Sequence, residues 1–292
     1  MTDSGPALLA QMPGWLFWAA VIWLGACVGS FLNVVVYRLP IMMQRQETQW
    51  AREALGDETG AGDGIPDEAF NLVFPRSRCP HCGHQIRAVE NIPVVSWLVL
   101  RGRCSACGAG IAMRYPLVEA GTALATCVIV AVLGPTWAAV WALLFTWALI
   151  ALALIDLDTQ LLPDSIVLPL LWLGLLVNVS AVFTPLADAV IGAAIGYGTL
   201  WALYWAFKLL TGKEGMGYGD FKLMGAMGAW LGWAALPGVV LLASLTGIIA
   251  AVVLMLRGSM ERETPMPFGP FIAAAGWLAM VLTAAPVGLP GI

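Results

Sequence analysis

Two sets of residues in this chain have the types and spacing of reactive or ligating groups. The first is acidic. The apolar run Leu149-Ile150-Ala151-Leu152-Ala153-Leu154-Ile155 ends in Asp156-Leu157-Asp158, and Leu161-Leu162-Pro163-Asp164 follows. Further on stands Gly215-Met216-Gly217-Tyr218-Gly219-Asp220-Phe221-Lys222. Acids in or beside a run this apolar are costly to keep and usually functional. Two carboxyl groups sharing one site cannot both ionise cheaply. One keeps its proton, and the pair then serves as acid and base toward a bound water. If the helix carrying Asp156 continues to residue 158, Asp156 and Asp158 point about 200° apart, so only one of them can face a common cavity with Asp220. The plainer reading of Asp158 is a solvated loop acid, and that of Asp164 a dipole partner at the start of the next helix. Gly219, lacking a Cβ, is expected to let a substrate backbone approach Asp220 and to permit unusual backbone angles.

The second set is sulfur. Cys79-Pro80-His81-Cys82-Gly83 and Cys104-Ser105-Ala106-Cys107-Gly108 are two C-x2-C pairs separated by 21 residues. Each pair can curl around one ion, with a glycine easing the turn after its second cysteine. Four thiolates so spaced suit a tetrahedral structural zinc, and a redox dithiol is the rival use. His81 and His84 beside a complete set of cysteines read as surface residues. Cys27 and Cys127 stand alone in apolar runs and read as packing residues.

The elements that must position these groups are membrane helices. Of 292 residues 60% are hydrophobic and 11% charged, where a soluble domain would carry about 25% charged. Eight apolar segments, near 14–37, 115–134, 137–156, 165–183, 187–207, 221–236, 238–256 and 268–286, are long enough or nearly so to cross a hydrocarbon core of about 30 Å. The sixth is short and interrupted by Gly225, Gly228 and Gly232, which predicts a tilted or irregular helix. Every Lys and Arg falls in or next to the alternate loops 38–114, 157–164, 208–220 and 257–267. The positive-inside rule then makes those loops cytosolic and puts both termini outside. No basic region precedes the first apolar run, so Leu24-Gly25-Ala26-Cys27 reads as part of a membrane helix and not as a cleavage box. Three regions are expected: 1–40 with the first helix, 41–114 a cytosolic loop and metal-binding domain, and 115–292 a seven-helix membrane domain. Within the second, residues 75–115 are too few for an apolar core and need a staple, which the cysteines supply. No basic stripe interleaved with aromatics is present, so nucleic acid is not an expected partner.

Taken together, Gly217-Tyr218-Gly219-Asp220, the Asp156 stretch ending in Leu161-Leu162-Pro163-Asp164, Gly29-Ser30-Phe31-Leu32-Asn33 with Tyr37-Arg38-Leu39-Pro40, and the two C-x2-C pairs resemble the bifunctional type IV prepilin leader peptidase/N-methyltransferases. The resemblance runs in order over nearly the whole chain and shows no departure in the motifs. It implies an all-α polytopic membrane protein of the bacterial inner membrane, an intramembrane aspartyl protease whose two catalytic acids are Asp156 and Asp220. It implies substrates too, the type IV prepilins and the pseudopilins of type II secretion, cut after a Gly at the end of a short basic leader on the cytosolic side. The new N-terminal amine is then methylated with S-adenosylmethionine.

The residues themselves agree in part. A substrate with a cytosolic leader and a membrane-embedded body must be cut at the membrane face, where the paired acids lie. The acids of 56–68 are candidates to attract a basic leader, and Pro265-Met266-Pro267-Phe268-Gly269-Pro270 is a candidate lining of the groove. No G-x-G-x-x-G following a strand marks a methyl-donor site. A proton- or cation-coupled transporter would use membrane acids as well, but these acids lie near one face and no repeat relates the halves.

Overall fold

The computed structural model describes residues 12–55, 70–213, 215–258 and 266–284. The acidic stretch 56–68 therefore lies outside the described residues, as does Pro265. Among those described, every regular element is helical, and the only strand-like pairings are isolated bridges between Arg78 and Gln85 and between Arg103 and Gly110. The helices are α1 (Gly14–Ala54), α2 (Val95–Val99), α3 (Arg114–Leu133), α4 (Trp137–Thr159), α5 (Asp164–Asn178), α6 (Leu186–Thr211), α7 (Tyr218–Leu231), α8 (Leu236–Leu256) and α9 (Gly269–Ala284). Each of the eight apolar segments is thus largely helical. Among the described residues five stretches are long and apolar enough to cross a membrane: α1, α3, α4, α6 and Trp233–Leu256. Asp164–Asn178 and Gly269–Ala284 are shorter apolar helices.

Two boundaries differ from expectation for identifiable reasons. The first helix does not stop near residue 37. It runs through Pro40 to Ala54, because Met42-Met43-Gln44-Arg45-Gln46-Glu47 and the residues beyond are good helix formers that outweigh one missing amide donor. The fourth segment ends early, at Asn178. That side chain accepts from the amides of Phe183 and Thr184 and turns the chain back.

The chain divides into two compact units, residues 20–124 and residues 1–19 with 125–292. In the smaller, α1 meets α3 where Gly29 leaves no room for a side chain: a Cβ there would stand 2.7 Å from the Glu119 Cα. Arg38 is buried nearby, donating to the Asn71 and Pro75 carbonyls at 2.8 and 2.6 Å.

In the larger unit α7 is the centre. Eleven of its fourteen residues are buried, and at about 1.5 Å rise per residue it is too short to span a bilayer unaided. Gly232 ends it at φ +78°, but Gly225 and Gly228 do not break it. Gly228 lies against the Gly192 backbone, and a Cβ on Gly225 would stand 3.3 Å from the Ala193 carbonyl oxygen, so α6 and α7 approach backbone to backbone. On the other flank Gly174 of α5 accepts the Trp230 ring, and the Trp230 indole N–H donates to the Leu170 carbonyl at 2.8 Å. The fully buried Asn178 amide donates to the Ala229 and Trp230 carbonyls, satisfying groups that the end of α7 would otherwise leave bare.

Candidate active site and cysteine centre

Asp156 lies in the last turn of α4 and Asp220 in the first turn of α7, and both are buried, 5% and 6% exposed. They lie within electrostatic reach of one another. Asp158 and Asp164 are exposed. Helical rotation has therefore chosen between the two acids of α4, and Asp156 is the one turned inward.

What holds Asp156 is the start of α9. The Gly269 amide donates to Asp156 Oδ2 at 3.0 Å. Gly269 is needed there, since a Cβ would stand 2.6 Å from that same oxygen. The proline-rich run expected to line a groove thus supplies a backbone donor to the candidate acid, and Phe268 packs on the core behind it. Asp220 sits in the first turn of α7, its amide donating to the Gly217 carbonyl at 3.2 Å. Gly217, the residue before α7, lies beside that carboxyl: a Cβ there would make ordinary contact with Asp220 Oδ2, at 3.7 Å.

Gly219 differs from its expected role. It is an ordinary helical residue, not a special backbone angle, and its missing Cβ serves the protein's own Leu162, whose Cβ would be only 2.7 Å away. Leu162 touches both glycines, reaching the Gly269 position at 3.3 Å. One leucine of the α4–α5 turn therefore sets the spacing between the start of α7 and the start of α9.

Two further features escaped the sequence. Lys222 donates to both oxygens of Asp164 at 2.7 Å, tying the α4–α5 turn to α7 two residues past Asp220. Opposite charges in the two acidic stretches were the available signal. Tyr218, inside the Gly-Tyr-Gly-Asp motif, donates to the Tyr204 hydroxyl at 3.3 Å, and its ring packs tilted against Tyr204 and edge-on to Phe221. Periodicity gives no clue to that cluster.

In the smaller unit the four cysteines meet. Their sulfurs all lie within 4.8 Å of one another, and Cys79 and Cys107 are 3.8 Å apart. A tetrahedron with metal–sulfur bonds of about 2.3 Å has edges of about that length. The two pairs form the same turn. The amides of Cys79 and Cys104 donate to the carbonyls of His84 and Ala109, both at 2.8 Å, and the amides of Gly83 and Gly108 return to the two cysteines, both at 2.9 Å. Gly83 and Gly108 sit at φ +71° and +72°, angles that favour glycine.

Backbone amides of Cys82 and His81 bring the Cys79 thiol down to about 7, and those of Cys107 and Ala106 lower Cys104 likewise. Cys82 moves the other way, to about 11: the His84 amide favours its thiolate, but burial and the crowding sulfurs outweigh it. Four thiols this close cannot all ionise without a cation among them, so the donor set fits a thiolate-bound metal. Glu90 straps the two turns together. The Arg87 amide at 2.9 Å, the Ser105 hydroxyl at 2.6 Å and His84 at 3.2 Å hold its carboxyl down at about 2.

With this geometry in hand, the comparisons decide the family. Residues 23–133 match the bacterial peptidase A24 N-terminal domain, and residues 143–252 match the type IV leader peptidase family. The chain is 54% identical over 273 residues to a prepilin leader peptidase/N-methyltransferase of Aeromonas hydrophila, covering 94% of this chain and 93% of that one. This chain belongs to the type IV leader peptidase family. Similar enzymes of the same name occur in Pseudomonas aeruginosa, 54% identical over 266 residues (91% of this chain, 90% of that one), and in Burkholderia pseudomallei, 51% over 277 residues (94% and 88%). No solved structure matches the chain. The family supplies the chemistry that a pair of buried acids at helix ends can serve, and it is a membrane family, in keeping with the apolar helices.

Proposed function

We propose that the protein is a prepilin leader peptidase and N-methyltransferase whose protease centre is Asp156 and Asp220. The observation that carries this is the burial of the two acids within electrostatic reach of each other, with Gly269 donating to one of them. A carboxylate of the pair takes a proton from water, and that water attacks the carbonyl carbon of the leader's last residue. The protonated partner hydrogen-bonds the carbonyl oxygen and then gives its proton to the leaving amine as the C–N bond breaks. The substrates are type IV prepilins and the pseudopilins of type II secretion. The Lys and Arg distribution supports eight crossings, both termini periplasmic and the acids facing the cytosol, in the inner membrane.

S-adenosylmethionine supplies the methyl group for the freed amine. Cys79, Cys82, Cys104 and Cys107 hold a structural zinc, with every coordination position filled by protein. Regions 41–114 and 115–292 divide the work between a cytosolic stapled domain and the membrane protease.

The test is incubation of purified protein with a prepilin, read by intact mass. The wild type should remove the leader and add 14 Da, the roughly 14 Da of one methylene. Asp156→Asn and Asp220→Asn should each leave the prepilin uncut while the protein still inserts in the membrane. Cleavage at the wild-type rate by either variant would remove that residue from the centre.

A further inference from the structure

The cysteine-bearing segment presents an unpartnered surface that the protease reading does not use. Val89, Val95, Leu98 and Val99 are 69%, 49%, 62% and 75% exposed. They lie on and just before α2, a helix of only five residues. Its orientation is imposed from both sides. Val94 before it and Arg101 after it adopt φ +60° and +52°, angles unfavourable for side chains with a Cβ, and for branched valine most of all. Behind it, the Trp97 indole donates to the Ile111 carbonyl at 3.1 Å, and the ring fills the space that a Cβ on Gly102 would need. The fold spends strain and a tryptophan anchor to aim three apolar side chains outward.

Depth gives the surface its meaning. The Val94 amide donates to Glu119 Oε2 at 2.6 Å. Glu119 lies in the second turn of α3, about 7 Å along the axis from its first residue at 1.5 Å per residue. Its Cα is also the atom against which Gly29 of α1 packs. Both residues lie inside apolar runs read as membrane spans. A segment tied there lies beside the second turn of α3, at the edge of its apolar run. Its charges agree. Arg76, Arg78, Arg87, Arg101 and Arg103 are exposed, and the one acid among residues 75–114, Glu90, is occupied by His84, Ser105 and the Arg87 amide. Exposed apolar side chains in a segment whose exposed charges are arginines match the boundary between acyl chains and anionic phosphates.

We propose that α2 is an interfacial wedge, with Val95, Leu98 and Val99 inserted in the cytosolic leaflet and the flanking arginines, Arg101 and Arg103 foremost, on anionic phospholipid headgroups. The occupant is the lipid surface itself, not a second protein. The proposal stands on the smaller unit alone and does not depend on the peptidase assignment.

The experiment places p-benzoylphenylalanine at Leu98 and, in a second protein, at Val99, with the exposed Ala106 of the second cysteine turn as the control site. The full chain is assembled in nanodiscs of phosphatidylcholine with or without phosphatidylglycerol, illuminated, and examined for adducts by peptide mass. Thermal unfolding followed by circular dichroism verifies that each protein is folded, and two independent sites guard against one of them failing. Phospholipid adducts at 98 and 99 should exceed those at 106 by about tenfold, rise when phosphatidylglycerol is present, and lose that rise in Arg101→Gln/Arg103→Gln. Yields equal to the control, or crosslinks to another copy of the chain, would overturn the wedge. Adducts indifferent to lipid charge and to the two arginines would overturn the headgroup contact.

Discussion

At the scale of single residues, the candidate centre is defined by what is missing as much as by what is present. Gly269 contributes an amide and an absent Cβ, both directed at Asp156 Oδ2. Gly269→Ala keeps the amide but sets a methyl 2.6 Å from the oxygen. Either the carboxyl or the start of α9 must shift, and a displacement of about 1 Å in a reacting group costs on the order of 100-fold in rate. Single-turnover cleavage of a prepilin by Gly269→Ala should therefore fall about 100-fold, with little change in prepilin affinity; wild-type turnover would show that the contact does not constrain the acid. Lys222 makes a weaker case. Its pair with Asp164 is 31% and 54% exposed on the two sides, so water and salt screen it. Lys222→Met and Asp164→Asn should each slow cleavage less than about tenfold, and a double-mutant cycle should give a coupling of about 1 kcal/mol or less. A much larger coupling would make the pair part of the reacting centre and not a tether.

At the scale of elements, the sequence read some things well and others not at all, for physical reasons. The apolar runs are a signal of composition, so all eight segments were found and their helical state followed. Helix ends depend on partners distant in sequence. The stop at Asn178 rests on a side chain that reaches the amides of residues 183 and 184 and the carbonyls of residues 229 and 230, and no local pattern encodes that. The sixth segment shows the same limit. Its glycines predict a tilted or irregular helix, and Gly232 does interrupt it, ending α7 at φ +78° before the short turn Trp233–Ala235, whereas Gly225 and Gly228 stay helical and are where α6 presses against α7. Asp156 over Asp158 was undecidable by wheel geometry alone, because the wheel shows only that the two acids diverge. The close contact yields a prediction with its own control. Gly228→Ala would drive a methyl into the Gly192 backbone, while Gly198→Ala on α6 meets nothing within 4 Å. The first should lower stability by about 1–3 kcal/mol and the second should be neutral or slightly stabilising, as read by reversible unfolding in detergent. Equal behaviour of the two would mean that α6 and α7 are not in backbone contact.

At the scale of the whole molecule, the four cysteines and the two acids fall in different compact units, and the two family matches, 23–133 and 143–252, follow nearly the same division. A fully ligated zinc holds a structure together and does no chemistry of its own, and residues 75–115 have little else to order them, since most of their side chains are exposed. Cys79→Ser/Cys104→Ser should therefore release the metal, measured by elemental analysis, and loosen residues 75–115, measured by hydrogen exchange, while α4 to α9 keep their protection. If the stapled domain shapes the surface for the methyl donor, mass spectrometry of the processed pilin should show methylation falling further than cleavage. Asp156→Asn and Asp220→Asn should do the reverse, abolishing cleavage while S-adenosylmethionine still binds. Metal retained at the wild-type level in the double cysteine variant would remove the zinc site. Equal loss of both activities would mean that the stapled domain supports the entire enzyme, and the assignment of one activity to each unit would have to be given up.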